Sequence, residues 1–291
     1  MLTSAIISGL FFGLYFTLVG LGLNLVFGVM RIVNLAHGDF LMLGAYAAFW
    51  LFTLLALHPL ASSALVLAGL FVLGIPIYYL IVPRLMRARD TEMLSLILFF
   101  GMSQVIEAIV SILFGNDERS IPARVFGIGP LTIAGARMPR AWVYGAVASA
   151  VCVLAVYLYL YRTRFGRLTR AVMVSRDEAL ATGIDIHFVS AVAFGIGIAL
   201  AGIAGVFAPF MLGSVTPSIG VGINIAAFAV IVVGTLGNPL GTVLGGIIYG
   251  ASLMLMQTYL SSWANLLPNL LLIAVLLIRP EGLLGRQVRR A

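Results

Sequence analysis

The chain has no lysine, one cysteine, three histidines and few charges of either sign. Each scarcity closes a class of function. Without lysine there is no Walker A loop, whose lysine must reach the phosphates. Nor is there a Schiff-base enzyme, which needs a lysine amine. The single cysteine, Cys152, lies in an apolar run and cannot form an internal disulfide, so it leaves the redox compartment open. Three histidines and one cysteine suggest no metal-ligand cluster, and none is expected. Charged residues make up 9% of the 291 and hydrophobic residues 62%, whereas a soluble domain carries about 25% and about 45–50%. The fold class expected is all-α, a polytopic helical membrane protein.

What is present fits that class. Apolar stretches long enough to cross a bilayer, about 20 residues each, fall near 3–29, 39–57, 61–82, 93–114, 141–161, 188–212, 218–237, 240–260 and 262–278. The last three are tightly spaced and Gly-rich or Pro-broken, and a re-entrant member among them would leave eight, so eight or nine transmembrane spans are expected. The first thirty residues have no basic start and read as a retained span. All seventeen basic residues are arginines flanking apolar runs, so the net charge of +7 reads as membrane orientation and not as nucleic-acid binding. On the nine-span reading one side holds Arg31, Arg84, Arg87, Arg89, Arg162, Arg164, Arg167, Arg170, Arg176, Arg279, Arg286, Arg289 and Arg290. The other holds Arg119, Arg124, Arg137 and Arg140. That imbalance assigns the C-terminus and residues 162–187 to the cytosol. Residues 115–140, with their turn formers, become the largest external loop, with room for a short helix or hairpin. The whole chain is expected to be a single membrane domain.

Four motifs stand out. The first is RTRFGRLTRAVMVSRDEALATGIDIH (162–187), which carries five arginines. Ser175 and Glu178 have capping-box spacing, Asp177 and Glu178 suit a helix N-terminus, and Gly183 is placed to end the helix in a left-handed conformation. A helix of about seven residues is too short to stand alone in water, so it must dock on its own spans or on a partner. The bland alternative is a solvated basic loop. The second is NLAHGDF (34–40). Gly38 is expected to break the helix and Asp39 to cap the next, with Asn34, His37 and Asp39 near a translocation path. An ordinary interfacial turn is the alternative. The third is GNPLGTVLGGIIYG (237–250): Gly237, Gly241 and Gly245 share a helical face, with Gly246 and Gly250 beside it, which suits close helix packing within the subunit or across a dimer. The fourth is polar residues inside spans: Gln104 and Glu107, three apart, and Asn24. An acidic group in mid-span should face protein or water, not lipid.

These motifs, in this order, resemble the LivH-type permease subunit of branched-chain amino acid (hydrophobic amino acid uptake) ABC importers. The matching stretches are GLNLVFGVMRIVNLAHGDFLMLGAYAAF (22–49), YRTRFGRLTRAVMVSRDEALATGIDIHFVS (161–190), GTLGNPLGTVLGGIIYG (234–250) and RPEGLLGR (279–286), spread over the whole chain. The resemblance implies a fold shared with ribose-type ABC permeases and an inner-membrane location. It implies a pore formed with a LivM-like second permease, two cytosolic ATP-binding subunits that use ATP and Mg, and a periplasmic substrate-binding protein. The chain itself would hold no cofactor and catalyse nothing alone. Residues 175–183 would be the coupling helix. Arg164, Arg167 and Arg170 would contact the ATPase or lipid phosphates, Phe165 and Ile184 would anchor the helix by burial, and Gly166 would belong to the same segment. Similar permeases serve branched-chain and other amino acids, urea and short amides, or small organic acids.

Rival readings make different demands. A stand-alone secondary transporter needs a mid-membrane ion-relay carboxylate, for which Glu107 is the candidate. An intramembrane enzyme finds no metal-binding His pair, paired carboxylates or Ser/His constellation in the spans. A purely structural subunit would tolerate disruption of residues 175–183.

Overall fold

The structure, a computed structural model, describes residues 2–279 and 281–285. Pro280 and the arginines at 286, 289 and 290 lie outside the described residues. The helices are α1 (Leu2–Met30), α2 (His37–Leu55), α3 (Pro59–Leu85), α4 (Thr91–Phe114), α5 (Arg140–Arg162), α6 (Arg164–Val174), α7 (Arg176–Ala181), α8 (Ile186–Met211), α9 (Ile219–Gly234), α10 (Pro239–Tyr259) and α11 (Leu267–Ile278). A 3₁₀ segment, Ser261–Leu266, leads into α11. Between α4 and α5 lie a 3₁₀ turn, Ala123–Phe126, and a hairpin of β1 (Leu131–Ile133) and β2 (Ala136–Met138), antiparallel with Leu131 opposite Met138.

Eight helical stretches are long and apolar enough to span a membrane, and α9, with 16 residues, is the short one. The stretch that holds it, residues 215–237, still crosses the bundle. Val215, just before the helix, exchanges two backbone hydrogen bonds with Arg119 at the hairpin end. Gly237, just after it, lies beside Gly28 near the other end of α1. The described residues therefore traverse the bundle nine times. Ten of their arginines (31, 84, 87, 89, 162, 164, 167, 170, 176 and 279) gather at one end, and four (119, 124, 137 and 140) at the hairpin end.

The core is built around α1 and α8. α8 is buried along nearly its whole length, and α1 packs most extensively on α10. Glycines set these approaches. A methyl group on Gly205 would collide with the backbone of Leu41, and one on Gly197 with that of Gly22. Among lipids no hydrophobic drive brings helices together, so small residues that let backbones touch carry the packing. The outer surface is correspondingly apolar, with Val72, Leu80, Ile97 and Ile112 all exposed.

Of the glycines expected on two adjacent faces of α10, one lies outside the helix. Gly237 precedes the helix, in the left-handed region at φ +75°. Gly241 and Gly245 pack on Gly234 and Val230 of α9, whereas Gly246 and Gly250 pack on Thr17 and Gly13 of α1. These four glycines therefore serve contacts within the subunit.

Candidate functional site

Two regions carry polar chemistry: a break in the middle of the bundle and a capped segment at the arginine-rich end.

The break follows α1. At Arg31 the backbone turns back through a positive φ of 55°, and residues 31–36 climb into the bundle without helical structure. Val33 N–H donates to Ser95 Oγ at 3.3 Å, one turn inside α4. His37 Nε2 then pairs with the Val19 carbonyl at 3.0 Å. Val19 lies about 16 Å up α1 from Met30, at 1.5 Å per residue. So α2 begins near mid-bundle. Asn34 shapes the turn, its Oδ1 accepting from Ala36 N–H at 3.0 Å, a short Asx-type link that competes with continued helix.

This differs from the expected geometry. The helix is broken at 31–36, not at Gly38, which sits in the first turn of α2. The N-cap residue is Ala36 and makes no side-chain cap, and Asp39 lies in the first turn. Gly38 has a packing role, since any side chain there would strike the backbone of Gly220 in α9. The N-terminus of α2 is also closed. Gly38 N–H donates to Asn224 Oδ1 at 2.8 Å, and Asn224 Nδ2 donates to the Leu35 carbonyl. His37, Asp39 and Asn34 are fully buried, and His37 Nδ1, Asn34 Nδ2 and both Asp39 carboxylate oxygens have no hydrogen-bond partner. Ser103 and Glu107 of α4 face Asp39. Glu107 is half-buried, whereas Gln104, on the same helix, is exposed.

Asn24 stands apart from that cluster. Its Oδ1 accepts from Gly237 N–H at 2.5 Å, and its Nδ2 donates to the Asn238 carbonyl at 2.9 Å and Thr242 Oγ1 at 2.5 Å. It clasps the turn into α10, which Asn238 caps through Leu240 and Gly241 N–H, with Pro239 at the first position. Asn224 was not singled out from the sequence, yet it plays the reciprocal part. An α9 asparagine holds the turn into α2, and an α1 asparagine holds the turn out of α9. The available signal was the pair Gly22-Leu23-Asn24 and Gly222-Ile223-Asn224, each in a helix running toward the arginine-rich end.

At that end residues 162–174 form a helix of their own, α6, where a basic lead-in to α7 was expected. Thr163 caps it by accepting from Gly166 N–H at 2.9 Å. Gly166, Thr169 and Val172 are its buried face, and a methyl group on Gly166 would overlap the Tyr159 carbonyl, so glycine is what lets α6 fold back on α5. Tyr159 and Thr169 hydroxyls pair at 2.8 Å, and Phe165 packs edge-on against Phe188. Arg170 turns inward, donating to the Leu160 carbonyl at 3.0 Å and stacking over Tyr161. Arg164 and Arg167 point outward.

In α7, Ser175 Oγ accepts from Glu178 N–H at 3.3 Å. At its end Gly183 N–H donates to Leu180 and Ile184 N–H to Ala179, with Gly183 at φ +82°. This paired pattern is a Schellman motif, and it satisfies carbonyls the helix end would otherwise leave open. Val174, Asp177, Glu178 and Leu180 are exposed along the outer face, whereas Ile184 is half-buried.

The comparisons with known proteins complete the picture. The family model described as branched-chain amino acid transport system / permease component matches residues 5–276. The high-affinity branched-chain amino acid transport system permease protein LivH of Salmonella typhimurium (strain LT2) is 29% identical over 96% of this chain and 94% of its own length. BraD of Pseudomonas aeruginosa, with the same description, is 30% identical over 97% of this chain and 95% of its own. LivM of the same Salmonella strain is 26% identical over 92% of this chain and 67% of its own. No solved structure matches. With nearly its whole length matched and its membrane helices in place, the chain belongs to the family of branched-chain amino acid transport system permease components.

Proposed function

We propose that this chain is the LivH-type permease subunit of an ATP-driven importer for branched-chain amino acids. It forms the pore with a LivM-type second permease. The likeness to LivH and BraD over nearly the full length of both chains supports the LivH role, and the weaker likeness to LivM fits a pore built of two related permeases.

The observation that carries the mechanism is α7, a six-residue helix fixed at both ends by its own caps and left with its outer face bare. So short a helix has no stability of its own. Its geometry is set by α6 and α8, so a push on it is passed to α5 and α8. The arginine-rich end is the cytosolic one by the positive-inside rule, which places α6, α7 and Arg279 inside and the hairpin outside a bacterial inner membrane. Two ATPase subunits dock there, one of them on α7 and the end of α6 through Val174, Asp177, Glu178 and Leu180. Those subunits bind ATP and Mg, while this chain holds no cofactor and does no chemistry alone. A periplasmic binding protein delivers the solute to the hairpin end. The path through the membrane passes the break at 31–39, which ATP-driven movement opens and closes.

The test is uptake by proteoliposomes holding the purified complex. Leucine uptake that needs internal ATP and the external binding protein, and that survives an ionophore, is expected. Uptake by this chain alone, abolished by the ionophore and indifferent to ATP, would contradict the proposal.

A further inference from the structure

The Asp39 carboxylate is the one charged side chain, among the described residues, that is fully buried, and the Ser103 hydroxyl beside it is a neutral neighbour that makes no hydrogen bond of good geometry to either oxygen. It lies in the first turn of α2 and against Gly220 in the first turn of α9. Two helix N-termini lend it a favourable field, but no cation stands beside it. An asparagine would fill the same space without burying a charge, so the packing alone gives no reason for an acid. A buried charge normally requires a partner of opposite sign.

Two neighbouring features say what kind of partner fits. The helix across from Asp39 is α4, which presents Ser103 and a second carboxylate, Glu107. It is loosely seated, burying only Ser95, Phe99, Ser103 and Val110 along 24 residues, so it can part from α2 at small cost. Next to this wall an apolar cleft of about 910 Å³ opens between α2, α3 and α4, lined by Leu43, Tyr46, Trp50, Leu113 and Phe114 among others. Leu43 is one turn and Tyr46 two turns beyond Asp39 on the same side of α2, and Phe114 is two turns beyond Glu107 on the same side of α4. Hydrocarbon walls that begin a helical turn away from a pair of carboxylates match a solute with an apolar side chain and a cationic group.

We infer that Asp39, with Glu107 opposite it, is the cation subsite of the translocation path and takes the ammonium group of the passing amino acid when α4 moves away from α2. The inference rests on the transport reading above and deepens it. Delivery by a binding protein selects the solute, and this subsite then gives it a defined place halfway across the membrane.

The experiment uses the complete importer in proteoliposomes, with leucine as solute, and reads leucine transported per ATP hydrolysed. Asp39→Asn is expected to lower that ratio about tenfold or more, the loss typical of removing one partner of a buried charge pair. Asp39→Glu is expected to restore most of it, and Glu107→Gln to lower it by a smaller factor. A merely structural Asp39 would leave the ratio unmoved in the isosteric amide. An Asp39→Asn complex with the wild-type ratio overturns the subsite. Should that variant fail to assemble, Glu107→Gln with an unchanged ratio overturns it equally. Uptake that collapses when choline replaces sodium would also overturn it, by showing that the carboxylates serve a metal cation. A wild-type complex without ATP-dependent uptake removes the transport reading itself, whereas wild-type uptake with an indifferent Asp39→Asn removes only the subsite.

Discussion

Single residues in this chain act mostly by what they permit the backbone to do. Gly183 has open space around it but a φ of +82°, so its constraint is conformational. A β-branched side chain there costs about 1–3 kcal/mol and unwinds the Schellman turn. Gly183→Val is expected to abolish uptake while the protein still accumulates in the membrane, and Gly183→Asn to retain much of it, because asparagine tolerates the left-handed region. Normal uptake by well-accumulated Gly183→Val would contradict this. Asn224 works by hydrogen bonds instead. Asn224→Ala leaves the Gly38 N–H and the Leu35 carbonyl without partners, at about 1–3 kcal/mol each. A lower unfolding midpoint in detergent and faster hydrogen exchange at Gly38 are the expected signs. Much of this scale was readable in advance. Ser175, Glu178 and Gly183 announce their helix because capping depends on local spacing. Asn224 and the true role of Gly38 did not, because each is defined by a residue nearly two hundred positions away.

Elements show the same division between local and distant causes. The long spans are visible as apolar runs, and even the short α9 has one, because insertion is decided by composition over about 20 residues. The break itself is legible, because residues 30–38 fall between two apolar runs, but nothing in RIVNLA shows that the chain climbs back into the bundle before α2 begins. The re-entrant turn forms because Arg31 reverses the chain and because Ser95 and Val19 receive the climbing backbone and His37. α6 is hidden for another reason. Its helical period is marked, with Arg164, Arg167 and Arg170 on one side and Gly166, Thr169 and Val172 buried on the other, but eleven residues this polar read equally as a solvated basic lead-in to α7. That buried face makes a prediction for the whole element: Gly166→Leu cannot be accommodated against Tyr159 and should lift α6 from α5. Protease cleavage between residues 162 and 175 in inside-out vesicles is expected to rise severalfold over wild type, a local opening without global unfolding. An unchanged cleavage rate would show that α6 is not held as described. Likewise Gly245→Leu, set against the Val230 carbonyl, should separate α9 from α10 and lower thermal stability by about 1–3 kcal/mol or more, the usual range for overpacking.

For the molecule as a whole, the two polar regions are the ends of one mechanical line. α7 rests on α6 and α8, α8 packs along α1, α2 and α3, and α2 starts at the break that holds Asp39. A displacement of α7 therefore reaches the middle of the bundle through helices whose backbones touch at glycines, with little soft side-chain material between them. On the proposed function, this linkage is what would carry a push on α7 into the bundle. The central claim is thus that cytosolic ATPases seat there. The most direct measurement is gentle-detergent affinity purification of this subunit from its native host, wild type beside Ser175→Ala/Gly183→Val, with the co-purifying chains identified and counted by mass spectrometry. The account predicts one second permease and two ATP-binding subunits with the wild type, and loss of ATP-binding subunits from the double variant while the second permease stays. Recovery of the wild-type chain alone, or an equal yield of ATP-binding subunits with the α7 caps destroyed, would contradict it.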